Sequence, residues 1–474
     1  MTGLLLLVFT IPVFFCLIVC NNLIKDSKCH EIAAKIVILI ASYLFAVYAD
    51  WRFSFVLALI SFVTYYFAKN KRHYRIGVTI VLLALCYFKY TNFFINSFTK
   101  LAGKDDVLLD IILPLGISFY TFSAISYLVD VGRGSQEARP LLDVAVYLSF
   151  FPKLTSGPIQ KSKDFFKQLD SERNIGKQSF SQGIQIFVFG LFKKIVLADR
   201  LAIFVDQVYA TPKAFGSATV LLAAFAYSLQ IYFDFSGYSD MAIGCARILG
   251  WDLPRNFNLP YLSHNVTELW KRWHISLSAW LQEYLYISLG GNRKGKSRTY
   301  VNLILTMLLG GIWHGANWTY VIWGLMHGIA LAVHKTWMTV TGSPGKKHSE
   351  CVNIFSIIVT FFFTTFCWIF FRADSWNHAI EIIGRIVSFK RGLEQPYMWL
   401  FIAVFVLMTC TLIAFVKSKR NGSTAKKTNM SSVEAFYPVC DLSSFWGQVA
   451  FFTLCGLTAG LAYLGGSPFI YGRY

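Results

Sequence analysis

The chain has 474 residues, 55% of them hydrophobic, and a mean hydropathy of +0.51, too apolar for a water-soluble globule and in keeping with a polytopic membrane protein. Its net charge of +19 comes in short Lys/Arg clusters between apolar runs, which reads as cytoplasmic loop topology and not as a nucleic-acid surface. The ten cysteines form no Cys-x-x-Cys pair and lie mostly in or beside apolar runs, so neither a disulfide framework nor a metal site is indicated.

Residues 1 to 24 carry no charge, and the first basic residues, Lys25 and Lys28, follow them. A cleaved secretory signal places its positive charge ahead of the apolar run, so a retained first span with its N-terminus outside is expected. Further apolar runs cover 32–49, 52–68 and 76–96. The cluster Lys69, Lys71, Arg72 and Arg75 then lies in the cytoplasm, two spans after Lys25 and Lys28.

Residues 107 to 160 are less regular. Leu113-Pro-Leu-Gly-Ile-Ser-Phe-Tyr120 and Phe151-Pro-Lys-Leu-Thr-Ser-Gly-Pro-Ile-Gln160 put proline and glycine inside apolar runs. Such breaks survive at membrane depth only where the backbone is buried in protein or lines a wet cavity, which predicts short or re-entrant helices. Residues 161 to 178 read as a polar cytoplasmic loop. Gly190-Leu-Phe-Lys-Lys-Ile-Val-Leu-Ala-Asp-Arg200 reads as a helix lying at the membrane interface. A span over 214–233 runs into Asp234 and Asp240. Six residues apart on a helix, these two do not share a face, so a helix-terminus cap or an ion pair with Arg247 or Arg255 competes with a functional reading.

From Tyr261 to Gly328 the chain concentrates its unusual residues. Asn265 with Glu268 resembles a capping box that starts a helix near Val266. That helix, with Trp270, Trp273 and Trp280 beside Lys271 and Arg272, reads as interfacial. The glycine-rich basic run Gly290 to Arg298 marks a cytoplasmic loop that could also meet a phosphate-bearing donor. Residues 301 to 334 contain no Asp, Glu, Lys or Arg, yet hold three histidines. At ~1.5 Å per residue, His314 lies roughly 24 Å along a helix from Arg298, deep in hydrocarbon. Gly311 and Gly315 flank His314, and Gly324 and Gly328 flank His327, both in a spacing that admits a close neighbour. On one straight helix the two histidines point about 140° apart, so one of them faces a given cavity unless the helix breaks at Ala316-Asn317. A buried neutral histidine suits a general base for a hydroxyl nucleophile; it equally suits a structural contact or a proton relay in a transporter.

The ordered motifs Leu113–Tyr120, Ser156-Gly-Pro-Ile159, Gly190-Leu-Phe-Lys-Lys194, Asp234-Phe-Ser-Gly-Tyr-Ser-Asp240, Arg272-Trp-His-Ile-Ser-Leu-Ser278, Leu289-Gly-Gly-Asn-Arg293 and Gly311-Ile-Trp-His-Gly315 closely resemble the membrane-bound O-acyltransferase (MBOAT) family, in its alginate O-acetylation branch. The resemblance covers about 110 to 335 and extends more loosely to Trp368–Ala373. It implies an all-α polytopic membrane protein, a bundle of about 11–13 transmembrane and re-entrant helices around a central tunnel. The implied division is N-terminal membrane helices over 1–106, a catalytic core over 107–340 and C-terminal membrane helices over 341–474.

By position, the resemblance implies that His314 is the catalytic histidine and His274 the second active-site polar residue. Trp313, Asn317, Trp273, Asp234, Tyr238 and Arg272 are the candidate substrate-binding residues. The implied donor is a thioester, acetyl-CoA or an acyl-carrier protein, taken as substrate with no metal and no bound cofactor. The implied acceptor is an exported or cell-surface polysaccharide, reached with an extracytoplasmic acyltransferase partner. Relatives commonly carry Leu-Arg-Asp-Tyr where this chain has Leu281-Gln282-Glu283-Tyr284, so a basic residue is absent here. Residues 352–371, 396–416 and 444–464 read as further spans. The loop with Lys417, Lys419, Arg420, Lys426 and Lys427 then lies in the cytoplasm and the C-terminus outside, in a multi-pass protein of the cell (inner) membrane. Within the family the competing activity is D-alanyl transfer to teichoic acid; from another class, a transporter using the histidines as a proton relay accounts for the spans but not for the motif order.

Overall fold

In hydrocarbon every backbone N–H and C=O has to be satisfied within its own segment, so apolar runs of this length can only be helices. The computed structural model describes residues 2–24, 26–103, 108–171, 175–342, 349–395, 397–406, 408–409, 437, 439–463 and 465. Within them the regular elements are helical, with an isolated β-bridge between Phe215 and Leu393. Among the described residues six helices are long and apolar enough to cross a membrane: Gly3–Leu23, Lys28–Ala49, Trp51–Lys69, Lys71–Thr99, Ser217–Ile248 and Glu350–Arg372. Each falls on a predicted run. Residues 398–406 are helical within the predicted span 396–416, whose remainder lies largely outside the described residues, as does the basic loop from Lys417 to Lys427.

The chain divides into two compact units, the first made of residues 1–184, 241–255 and 279–288, the second of 185–240, 256–278 and 289–474. The first holds α1 (Thr2–Leu23), α2 (Ser27–Ala49), α3 (Trp51–Lys69), α4 (Tyr74–Leu101), α5 (Ile117–Gly132), α6 (Leu141–Ser149), the one-turn α7 (Phe151–Leu154) and α8 (Ser162–Leu169). Asp26 and Asp50 cap α2 and α3 with their carboxylates, satisfying backbone donors that the first helical turn leaves open. The predicted breaks are real. Gly116 precedes α5 at φ +73°, where a Cβ would lie 2.0 Å from the Leu154 carbonyl oxygen, so both conformation and space demand glycine. One buried lysine of this unit is paired: Lys35 reaches Asp143 at 2.7 Å with both side chains buried. Where a polar loop was expected, α8 buries Phe165, Phe166 and Leu169, and Phe165 stacks on Trp251. Its charged residues had masked an amphipathic turn. Glu283, next to Gln282 where relatives commonly carry a basic residue, accepts from Lys161, and Tyr284 donates to Asp130 at 2.9 Å.

The second unit takes the end of α9 (Lys177–Phe192), α10 (Asp199–Ala210), most of α11 (Ser217–Ile248), α12 (Val266–Arg272), the start of α13 (Ile275–Trp280), α14 (Lys296–His314), α15 (Trp318–Thr341), α16 (Glu350–Arg372), α17 (Trp376–Val387) and α18 (Phe445–Leu461). Two sequence expectations fail here for one reason. The segment 190–200 is no interfacial helix: a π-helical turn over Lys193–Ala198 buries Lys193 against Asp240, and Lys194 sits 2.5 Å from Asp234 and 2.8 Å from Asp199. Asp234 and Asp240 lie inside the 32-residue α11 with lysine counter-ions, so neither is a helix-terminus cap. Mixed charge and apolar sequence describes a buried helix with partnered charges as well as it describes an interfacial one.

α14 and α15 run back to back as a hairpin. A Cβ on Gly311 would lie 2.3 Å from the Tyr320 carbonyl oxygen and 3.0 Å from the Gly324 Cα, so the backbones touch there directly. The close neighbour that the glycine spacing admits is thus the partner helix of the hairpin. Because the chain breaks at Gly315-Ala316 and restarts at Trp318, His314 and His327 do not share one straight helix.

Candidate active site

His314 is the last residue of α14, 4% exposed, with the carbonyl end of the helix dipole behind it. Aromatic rings enclose it. Its centroid lies 4.9 Å from Trp313, 5.1 Å from Trp323 and 5.3 Å from Phe371. The wall continues outward, since Trp323 meets Trp368 at 5.7 Å and Trp270 at 5.7 Å, and Trp368 meets Trp273 at 5.0 Å. These aromatic contacts make an apolar, low-dielectric wall beside which a single polar group acts strongly.

His274 reaches the same region from a different element. The expected single helix through Trp270, Trp273 and Trp280 is interrupted: α12 stops at Arg272, His274 takes φ +43°, and α13 restarts at Ile275. A left-handed histidine is uncommon, and backbone pairing on both sides holds it. Asn258 N donates to Arg272 O and Ile275 N donates to Asn256 O, each at 2.9 Å. All three tryptophans are buried within the protein. His274 is fully buried; Phe235 packs on it at 4.6 Å and Trp313 at 6.4 Å. The Trp313 indole thus touches both His274 and His314.

The capping box appears as expected in part. Asn265 accepts from Glu268 N at 2.9 Å, while the Glu268 carboxylate returns to His264 N instead of the cap residue. Of the other candidates, Trp273 joins the wall, packing on Tyr261 and Trp368. Arg272 pairs with Glu268 at 2.6 Å. Asn317 caps α15, accepting from Thr319 N and donating to Asp374 O. Asp234 pairs with Lys194, and Tyr238 is buried one helical turn further along α11. His327 is buried as well; Trp270 Nε1 donates to its Nδ1 at 3.3 Å, and its Nε2 has no hydrogen-bond partner among the described residues. Sequence reading missed Asn256, which meets His274 Nδ1, and the roles of Ser239 and Ser276, which hold the Asn256 amide. Nothing in their spacing announces them, because Asn256 lies in an irregular segment eighteen positions before His274.

The segment holding both histidines, Asn256 and the aromatic wall lies within residues 133–373, which match the model of the membrane-bound O-acyltransferase family. The chain belongs to that family. It is a multi-pass membrane O-acyltransferase. Among relatives, it is 42% identical to a probable alginate O-acetylase of Pseudomonas aeruginosa over 373 residues, 75% of this chain and 70% of that protein. It is 37% identical to a peptidoglycan O-acetyltransferase of Helicobacter pylori over 393 residues, 75% of this chain and 74% of that one. A teichoic acid D-alanyltransferase of Bacillus subtilis is 30% identical over 287 residues, 56% of this chain and 70% of that protein.

Proposed function

We propose that this acyltransferase takes an acetyl group from acetyl-CoA on the cytoplasmic side and delivers it for O-acetylation of an exported or cell-surface polysaccharide. The likeness to an alginate O-acetylase and a peptidoglycan O-acetyltransferase, each aligned over three quarters of the chain, is the observation that carries this reading. The chain sits in the cell (inner) membrane with both termini outside, and an extracytoplasmic acyltransferase partner completes transfer to the glycan.

In the proposed reaction His314 is the general base. Its imidazole takes the proton of the attacking hydroxyl as the hydroxyl oxygen bonds to the thioester carbonyl carbon. The tetrahedral intermediate then collapses, the carbon–sulfur bond breaks, and the departing thiolate takes the proton back from the imidazolium and leaves as coenzyme A thiol. His274 holds the acceptor or the developing oxyanion. Trp313 and Trp273 wall the reacting groups and keep water out. Asn317, Asp234, Tyr238 and Arg272 contribute from α15, α11 and α12 around them. The second reading, D-alanyl transfer from a carrier-protein thioester, is favoured by the teichoic acid D-alanyltransferase likeness alone, which covers less of the chain.

The test supplies purified protein with radiolabelled acetyl-CoA and, separately, with a D-alanyl carrier protein, an acceptor partner being present in both. Turnover of acetyl-CoA is expected. Turnover with the carrier protein alone would move the chain to D-alanyl transfer.

A further inference from the structure

Asn256 is 1% exposed, and the orientation of its amide is dictated by its neighbours. The backbone N–H of Ser276, which can only donate, points at the Asn256 side chain at 3.3 Å; the atom there must be the carbonyl oxygen Oδ1. Ser276 Oγ donates to the same oxygen at 2.9 Å. The amide nitrogen is left to donate to Ser239 Oγ at 3.2 Å. Turning the amide by 180° would set N–H against N–H. That same Oδ1 lies 3.1 Å from Nδ1 of His274. An oxygen with no hydrogen faces this nitrogen, so the nitrogen has to carry one, and in a neutral imidazole the lone pair then falls to Nε2.

We infer that Asn256 is a positioning residue that fixes His274 as its Nδ1–H tautomer, so that the neutral ring presents an acceptor at Nε2. The inference rests on the proposed reading that His274 faces the reacting groups, and it chooses between the two roles given there. A neutral Nδ1–H imidazole has no Nε2 hydrogen to give to an oxyanion. It instead accepts a hydrogen bond from a neighbouring hydroxyl of the glycan acceptor, orienting the acceptor so that the attacking hydroxyl keeps its own hydrogen for His314. His327 provides the contrast. Trp270 donates to its Nδ1, which puts its hydrogen on Nε2, so the two buried imidazoles are locked in opposite tautomers by a carbonyl on one side and an indole N–H on the other. Asn256 also holds the C-terminal side of the kink at His274, since its own carbonyl accepts from Ile275 N. Tautomer and ring direction are set by one residue.

Nitrogen-15 NMR of histidine-labelled protein in lipid reads the tautomer directly, with the His274 resonances identified as those lost in His274→Gln. Wild type is expected to show a protonated Nδ1 and an unprotonated Nε2 for His274; a protonated Nε2 would overturn the inference. In Asn256→Leu the preference is expected to disappear and kcat to fall about 10- to 100-fold with KM for the donor nearly unchanged, the size of effect that the outer-shell partners of metal-bound histidines carry. Asn256→Asp, whose carboxylate still accepts from Nδ1–H and from Ser276 N–H, recovers most of that loss. Unchanged kcat in a folded Asn256→Leu, or no recovery in Asn256→Asp, would also overturn it. The wild-type tautomer is measured without donor or glycan, so a wrong donor assignment leaves this result standing and is told apart from it.

Discussion

Adding one methyl group at Gly311 puts the hairpin under direct load. The Cβ of an alanine there would sit 2.3 Å from the Tyr320 carbonyl oxygen, 3.0 Å from the Gly324 Cα and 3.1 Å from the Gly324 N, all backbone atoms with no flexible end to swing aside. Ordinary contact begins near 3.4 Å, so α14 and α15 have to separate by about 1 Å along that line. Overpacking of this kind costs about 1–3 kcal/mol. His314 lies three residues beyond Gly311 and packs on Trp323 of α15, so the separation is transmitted to the imidazole. Since a 1 Å misplacement of a reacting group can cost on the order of 100-fold in rate, Gly311→Ala is expected to lose far more activity than stability. The assay pairs thermal unfolding in detergent with acyl transfer by the same preparation. Gly384, helical in α17 with open space around its Cα, is the control: Gly384→Ala is expected to gain up to about 1 kcal/mol. Wild-type melting and turnover in Gly311→Ala would refute the reasoning.

Asp240→Leu strands a buried Lys193 ammonium and is expected to destabilise by about 3–5 kcal/mol, while the double variant with Lys193→Met recovers most of it. Equal loss in the single and double variants, measured by thermal denaturation, would show that the pair is not the cause. Gly116→Ala combines φ +73° with a Cβ 2.0 Å from a carbonyl oxygen; the conformation alone costs about 1–2 kcal/mol, and a well-folded variant in size-exclusion chromatography would contradict it. Asn317→Ala removes the α15 cap at about 1 kcal/mol, and Asn317→Asp, which keeps the accepting oxygen, is expected to melt above Asn317→Ala.

The spans were legible because each is a long apolar run, and His314 and His274 because their motifs carry a family likeness. Elsewhere the pattern ran out for identifiable reasons. Lys193 and Lys194 meet Asp240 and Asp234 across some forty positions of chain, so local composition showed exposed charge where the fold has neutralised pairs. Trp270, Trp273 and Trp280 looked like one interfacial stripe, but the kink at His274 that breaks their helix is imposed from Asn256 and Asn258, outside any local window. The helix break after His314 was legible as a possibility in Gly315-Ala316-Asn317, and the Asn317 cap realises it. Asn256 itself had no signal: an asparagine in an irregular stretch is ordinary until a histidine nitrogen is found 3.1 Å away.

The central claim is that a buried histidine at the end of α14 carries the proton of acyl transfer. Single-turnover acetyl transfer by purified wild type and His314→Ala, matched for membrane expression and melting temperature, tests it most directly. The account predicts that the variant folds, binds donor and transfers no acetyl group. Transfer at the wild-type rate by His314→Ala would contradict it.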